Sequence, residues 1–108
     1  MAREIPNADD IKKLSTSKYE HWEETFLNAC LDRLIPMIEN NRKELANGER
    51  VLFMKPNIQY RGLGFTMSDL WSEVRLKLKQ KLRGKGYTVS DVKLKDGEIA
   101  FEVWIDGA

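Results

Sequence analysis

Val92-Lys93-Leu94-Lys95-Asp96-Gly97-Glu98-Ile99-Ala100-Phe101-Glu102-Val103-Trp104-Ile105 carries apolar residues at alternate positions on both sides of an Asp-Gly pair. Alternation with period two marks a strand with one buried face, and Asp-Gly between two such runs predicts a β-hairpin. A two-residue type I′ turn at Asp96-Gly97 sets Leu94 opposite Ile99 and Val92 opposite Phe101 on that face. Trp104 falls on the other side with Ala100, where something must cover it. The long helix upstream would make it core, whereas an open sheet face would make Trp104 an interface anchor for a partner.

Upstream, the apolar period changes to that of a helix. Asn7 can cap a short first helix, with Asp9 and Asp10 near its positive end and Ile11 and Leu14 as apolar anchors; residues 1–16 read as such a helix or as an N-terminal arm. Ser17 and Glu20 have the spacing of a capping box and predict the start of a long helix. Along it Trp22, Phe26, Cys30, Leu34 and Ile38 recur about every four residues, widened by Leu27, Leu31 and Ile35. Pro36 falls inside the pattern, and a bend that continues through Met37, Ile38 and Leu45 is favoured over a break near Ile35. Asn47-Gly48 supplies a left-handed stop, and Val51-Leu52-Phe53-Met54 suits a buried strand.

Pro56, Gly62 and Gly64 make 55–65 an irregular connection in which Ile58 and Tyr60 suggest a brief further strand. Thr66 or Ser68 caps a last helix with Leu70, Val74, Leu78 and Leu82 on its buried stripe, ended by Gly84 or Gly86. The expectation is a single α+β domain over 1–108: two or three helices on one face of a small, mainly antiparallel sheet that ends in a C-terminal β-hairpin.

At 108 residues, 42% hydrophobic and 32% charged, the chain has the composition of one folded domain with a single core. Cys30 is the sole cysteine, so no internal disulfide forms, and its apolar neighbours predict a buried thiol in a reducing, cytoplasmic setting. No stretch reaches the length of a membrane span, and the first residues lack the apolar run of a signal peptide. The net charge of +1 conceals segregation: residues 51–95 hold 10 basic and 3 acidic side chains, and residues 96–108 hold 4 acidic and none basic. Such a charge distribution steers a charged partner if the fold preserves it.

Catalytic chemistry has little to stand on. His21 is the only histidine and lies among Glu20, Glu23 and Glu24; exposure on open surface would remove the best general base. No nucleophile elbow, phosphate loop or dinucleotide fingerprint occurs, and neither a metal nor a cofactor is expected.

Three features favour binding. Arg75, Lys77, Lys79, Lys81, Arg83 and Lys85 lie in a stretch without an acid. On a helix Arg75, Lys79 and Arg83 form one row and Lys77 and Lys81 a second, a pattern suited to phosphates or to an acidic partner. Cations near a helix C-terminus also complement its dipole, which explains them equally well. The second feature is the loop bearing Tyr60, Arg61, Gly62, Gly64 and Phe65, where glycines allow close backbone approach and aromatics offer stacking surface. Arg61-Gly62-Leu63-Gly64-Phe65 is similar to the opening of the octamer signature of RNA-recognition motifs, with Leu63 in place of an aromatic residue and Thr66 in place of the following valine. That signature lies on a strand in its family and here directly precedes a helix, so the family's function is not carried over. Trp104 is the third.

The expected function is therefore a small non-enzymatic binding or adaptor protein that regulates another protein through an aromatic and charged surface. The alternative is nucleic-acid binding through 75–85 and the 59–65 loop, and a small enzyme of unknown class is the third reading. A homodimer is a candidate assembly, and no membrane partner is expected.

Overall fold

The computed structural model describes residues 5, 8–60 and 66–107, and within the first helix the side chains of 9–20 are left aside. Helix α1 spans Ala8–Asn40, α2 Arg42–Ala46 and α3 Met67–Gly84; strands β1, β2 and β3 span Val51–Phe53, Thr88–Lys93 and Ile99–Trp104. The sheet is antiparallel in the order β1-β3-β2, so the fold is a small α+β domain whose last two strands are paired.

Helix α1 is one element of 33 residues, about 50 Å long at 1.5 Å per residue. The separate first helix and the start at Ser17 are not found. No glycine or proline lies between Ala8 and Ile35 to stop a helix, so a capping-box pattern inside it has no free amides to cap. Pro36 is accommodated within α1, and the break comes five residues later. There the Asn41 amide bonds both the Met37 and Ile38 carbonyls, and the Asn41 side-chain amide donates to the Met37 carbonyl at 2.7 Å. An asparagine whose side chain competes for helix carbonyls separates α1 from α2, so the helix does not continue unbroken to Leu45.

Both later helices end on a glycine in the left-handed region. Gly48 has φ 78° and Gly86 φ 93°. At α3 the Gly86 amide reaches the Arg83 carbonyl and the Tyr87 amide the Leu82 carbonyl, both at 3.1 Å, which is a Schellman arrangement. Gly86 therefore forms the stop and Gly84 remains helical. At its other end α3 has a complete capping box: Thr66 Oγ1 accepts from the Asp69 amide at 3.1 Å, and the Asp69 carboxylate accepts from the Thr66 amide.

The hairpin differs from the expected one by one residue. Lys93 pairs with Ile99, Val92 with Ala100 and Asp91 with Phe101. A type I′ turn needs positive φ at both central residues, but among the described residues only glycines have it, Gly97 at 89° included. The connection is instead a three-residue loop in which Gly97 N donates to the Leu94 carbonyl at 3.0 Å and Leu94 N to the Glu98 carbonyl at 2.8 Å. Asp96 Oδ1 fixes it by accepting from the Glu98 amide at 2.9 Å. A one-residue slip turns every side chain of the partner strand over: Val92 joins Ala100 on the outer face, while Val89 and Asp91 share the inner face with Val103 and Phe101.

The helices cover that inner face. Phe26, Cys30 and Leu34 of α1, Leu70, Trp71, Val74, Leu78 and Leu82 of α3, and Phe53, Val89, Phe101 and Val103 of the sheet form one buried cluster. At its centre the Trp71 and Phe101 rings lie 6.3 Å apart and 16° from parallel, with Phe53 5.2 Å from Phe101, contacts that add modestly to area burial. The Trp71 indole N–H donates to the Ile99 carbonyl at 2.6 Å. Ile58 and Tyr60 form no strand; they pack against the core from an irregular segment, with Ile58 N bonded to the Pro56 carbonyl in a tight three-residue turn.

Candidate functional site

The six cations of 75–85 do not form one free strip. Arg75, Lys79 and Arg83 run along β2. There Asp91 meets Lys79 Nζ at 2.9 Å and Arg75 Nε at 3.3 Å, while Arg83 approaches the Val89 carbonyl at 3.5 Å. The Arg75 Nε–H is buried and is not aimed at that carboxylate, so the contact is coulombic and not a hydrogen bond. Arg75 also lies over the Trp71 ring, 5.8 Å from its centroid. On the other flank Lys77 pairs with Glu23 of α1, a carboxylate almost enclosed between the helices. Lys81, Arg83 and Lys85 are exposed at the end of α3, and no carboxylate among the described residues pairs with them.

Tyr60 stands with its ring 4.5 Å from Trp22 and edge-on to Phe26, half-buried, and burial raises its phenol above the ordinary value. Arg61, Gly62, Gly64 and Phe65 lie outside the described residues, as does the likeness to the octamer signature.

Trp104 lies on the sheet face away from the helices. Its cover is Arg50, whose guanidinium sits 4.0 Å from the ring centroid and also pairs with Glu102. The indole N–H donates to Asp106 Oδ1 at 3.0 Å, and Thr88 Oγ1 donates to Asp106 Oδ2. Trp104 thus belongs to a self-contained polar cluster and is not under the long helix.

His21 is exposed near the start of the described side chains of α1, its ring 5.5 Å from Trp22. Cys30 is fully buried, and burial pushes its thiol up to about 12 against a small opposing pull from Arg33. Such a thiol is not a nucleophile near neutrality. Among the described residues no three histidine, cysteine or acidic side chains are grouped so as to hold a metal ion, and no helix is long and apolar enough to cross a membrane.

What the sequence does not single out is a groove between the C-terminal ends of α1 and α3. Leu31, Leu34, Ile35 and Ile38 of α1 face Leu82 of α3 and Tyr87 across a space of about 530 Å³. It continues past Ile35, Ile38 and Tyr87 towards Leu45 and Ile105 in a further 440 Å³. Ile35 is 51% exposed, although it belongs to the apolar stripe. The signal in the sequence is the width of that stripe: Phe26, Cys30 and Leu34 fill the core, and Leu31, Ile35 and Ile38 extend the apolar face beyond what α3 covers. Lys81 and Lys85 line one side and Arg42 the far end, with Glu39 as the only acidic residue in the lining.

Compared with models of protein families, with curated proteins and with solved structures, the chain matches none.

Proposed function

We propose that this chain is a small non-enzymatic adaptor that regulates another protein by binding it. The observation that carries this reading is the groove between α1 and α3: an open apolar trough, with an isoleucine half in water, is the kind of surface that a partner's apolar side chains fill. Trp104 and Arg50 on the opposite face offer a secondary contact. Support also comes from the buried, weakly acidic thiol of Cys30 and the exposed position of His21. The reading includes a cytoplasmic location, in keeping with a lone thiol.

The test is affinity capture from nuclease-treated lysate of expressing cells, comparing the natural chain with Ile35→Asp. A discrete protein held by the first and lost from the second is expected. Identical capture by both overturns the reading.

Nucleic-acid binding is the second reading, favoured by the exposed cluster Lys81, Arg83 and Lys85. It predicts oligonucleotide affinity that falls steeply with added salt and vanishes on joint charge reversal at Arg83 and Lys85. Binding that ignores either change excludes it.

A further inference from the structure

We infer that the groove accepts an acidic amphipathic helix of the partner protein, with the apolar stripe of that helix lying between α1 and α3 and its carboxylates reaching Lys81, Lys85 and Arg42. This inference rests on the adaptor reading and specifies its ligand. The walls are mostly helices and aliphatic side chains, with Tyr87 and Ile105 entering from the ends of β2 and β3. Helix walls have their backbone groups already bonded, so an extended segment laid there finds no backbone partners in them for the amides and carbonyls it turns towards the groove. A helical segment satisfies its backbone internally and presents apolar anchors at three- and four-residue spacing.

Charge decides the flanks. Three cations line the groove against one carboxylate, Glu39, and Lys81 and Lys85 have no carboxylate of this chain to hold them among the described residues. A ligand with carboxylates beside its apolar stripe completes them, and a basic one is repelled.

The acidic stretch of a second copy is a poor occupant, because its side chains are already engaged. Glu98 pairs with Lys55, Glu102 with Arg50, Asp106 accepts from Thr88 and Trp104, and Asp96 accepts from the Glu98 amide. One of these acids, Glu102, lies on the central strand, and Glu98 immediately precedes it. Glu102 cannot leave it for a neighbour's groove without dismantling the sheet.

The experiment uses two fluorescein-labelled synthetic peptides of about fifteen residues, enough for four helical turns. Both carry leucines at i, i+3, i+4 and i+7; one has glutamates beside the stripe and the other lysines. Fluorescence anisotropy against the full chain is expected to show the glutamate peptide binding about tenfold more tightly at low salt, as several rim pairs together imply. The margin shrinks at about 0.5 M salt. Ile35→Asp abolishes binding of both peptides, and Lys81→Glu with Lys85→Glu reverses their order. These positions are solvent-exposed, and an unchanged melting midpoint shows that the variants fold.

Equal affinity for the two peptides, binding of neither, or binding indifferent to Ile35 overturns the inference. So does a concentration-dependent dimer in sedimentation that Ile35→Asp dissolves, since the groove then belongs to a second copy. If both peptides fail while capture from lysate still depends on Ile35, the acidic helix is wrong and the adaptor reading stands. If capture is indifferent as well, both fall.

Discussion

Asp91 stands directly across from Phe101 on the helix-facing side of the sheet. An acid opposite a buried phenylalanine is tolerable because Asp91 lies at the rim, where α3 brings Lys79 and Arg75 to it. The two cationic side chains are more enclosed than the acid, 14% and 12% exposed against 39%. Removing the acid leaves them uncompensated. Asp91→Ala is expected to cost about 1–2 kcal/mol in chemical denaturation. Asp91→Val, which suits the strand, should not recover it if the ion pairs are the cause.

Glu23 and Lys77 tie α1 to α3. The Glu23 side chain is 10% exposed and that of Lys77 50%, so one partner is shielded from salt. A double-mutant cycle with Glu23→Ala and Lys77→Ala should give a coupling of about 1 kcal/mol, at the upper end for surface pairs. The coupling should persist when salt is raised. A coupling that disappears at high salt would show that the carboxylate is solvated.

Gly84 and Gly86 differ by two positions and should respond oppositely to alanine. A Cβ at Gly84 meets nothing within 4 Å and the backbone there is helical, whereas Gly86 has φ 93°. Gly84→Ala is expected to stabilise by up to about 0.5 kcal/mol, since it lies in the last helical turn. Gly86→Ala should destabilise by about 1 kcal/mol. Thermal melting of the two variants side by side decides it.

Cys30 predicts an alkaline effect. Its thiol titrates near the ordinary value of 9.0 when unfolded and at about 12 when folded. Above pH 9 the unfolded chain therefore binds fewer protons than the folded one. The contribution is fully present below pH 9 and is lost progressively towards pH 12. Denaturation midpoints of the natural chain should fall more steeply over that window than those of Cys30→Ala. A thiol reagent at pH 8 should label Cys30 only on unfolding.

Much of the fold was legible because its signals are local. The stripes of α1 and α3, the Asn47-Gly48 stop and the cap at Thr66 each depend on a few neighbouring residues, and all recur in the structure. Misreadings arose where two local signals competed. Ser17 and Glu20 have the spacing of a helix start, but a capping box is informative only where the preceding backbone is not helical. Asp96-Gly97 fits two hairpin loops, and the backbone of Asp96 chose the longer one. The groove was the least legible element. Leu31, Ile35 and Ile38 look like core until the position of α3 is known.

The sequence by itself determined the α+β class, the C-terminal strand pair, the Asn47-Gly48 stop and the central residues of the buried stripes of α1 and α3, because helix and strand periods and backbone preferences act over a few residues. Only the tertiary structure decided which cations are engaged, which face holds Trp104 and where apolar surface stays open. Those outcomes depend on which side chains meet across elements far apart in the chain. Arg75 and Lys79 find Asp91, Lys77 finds Glu23, and Ile35 finds no partner helix because α3 ends beside it.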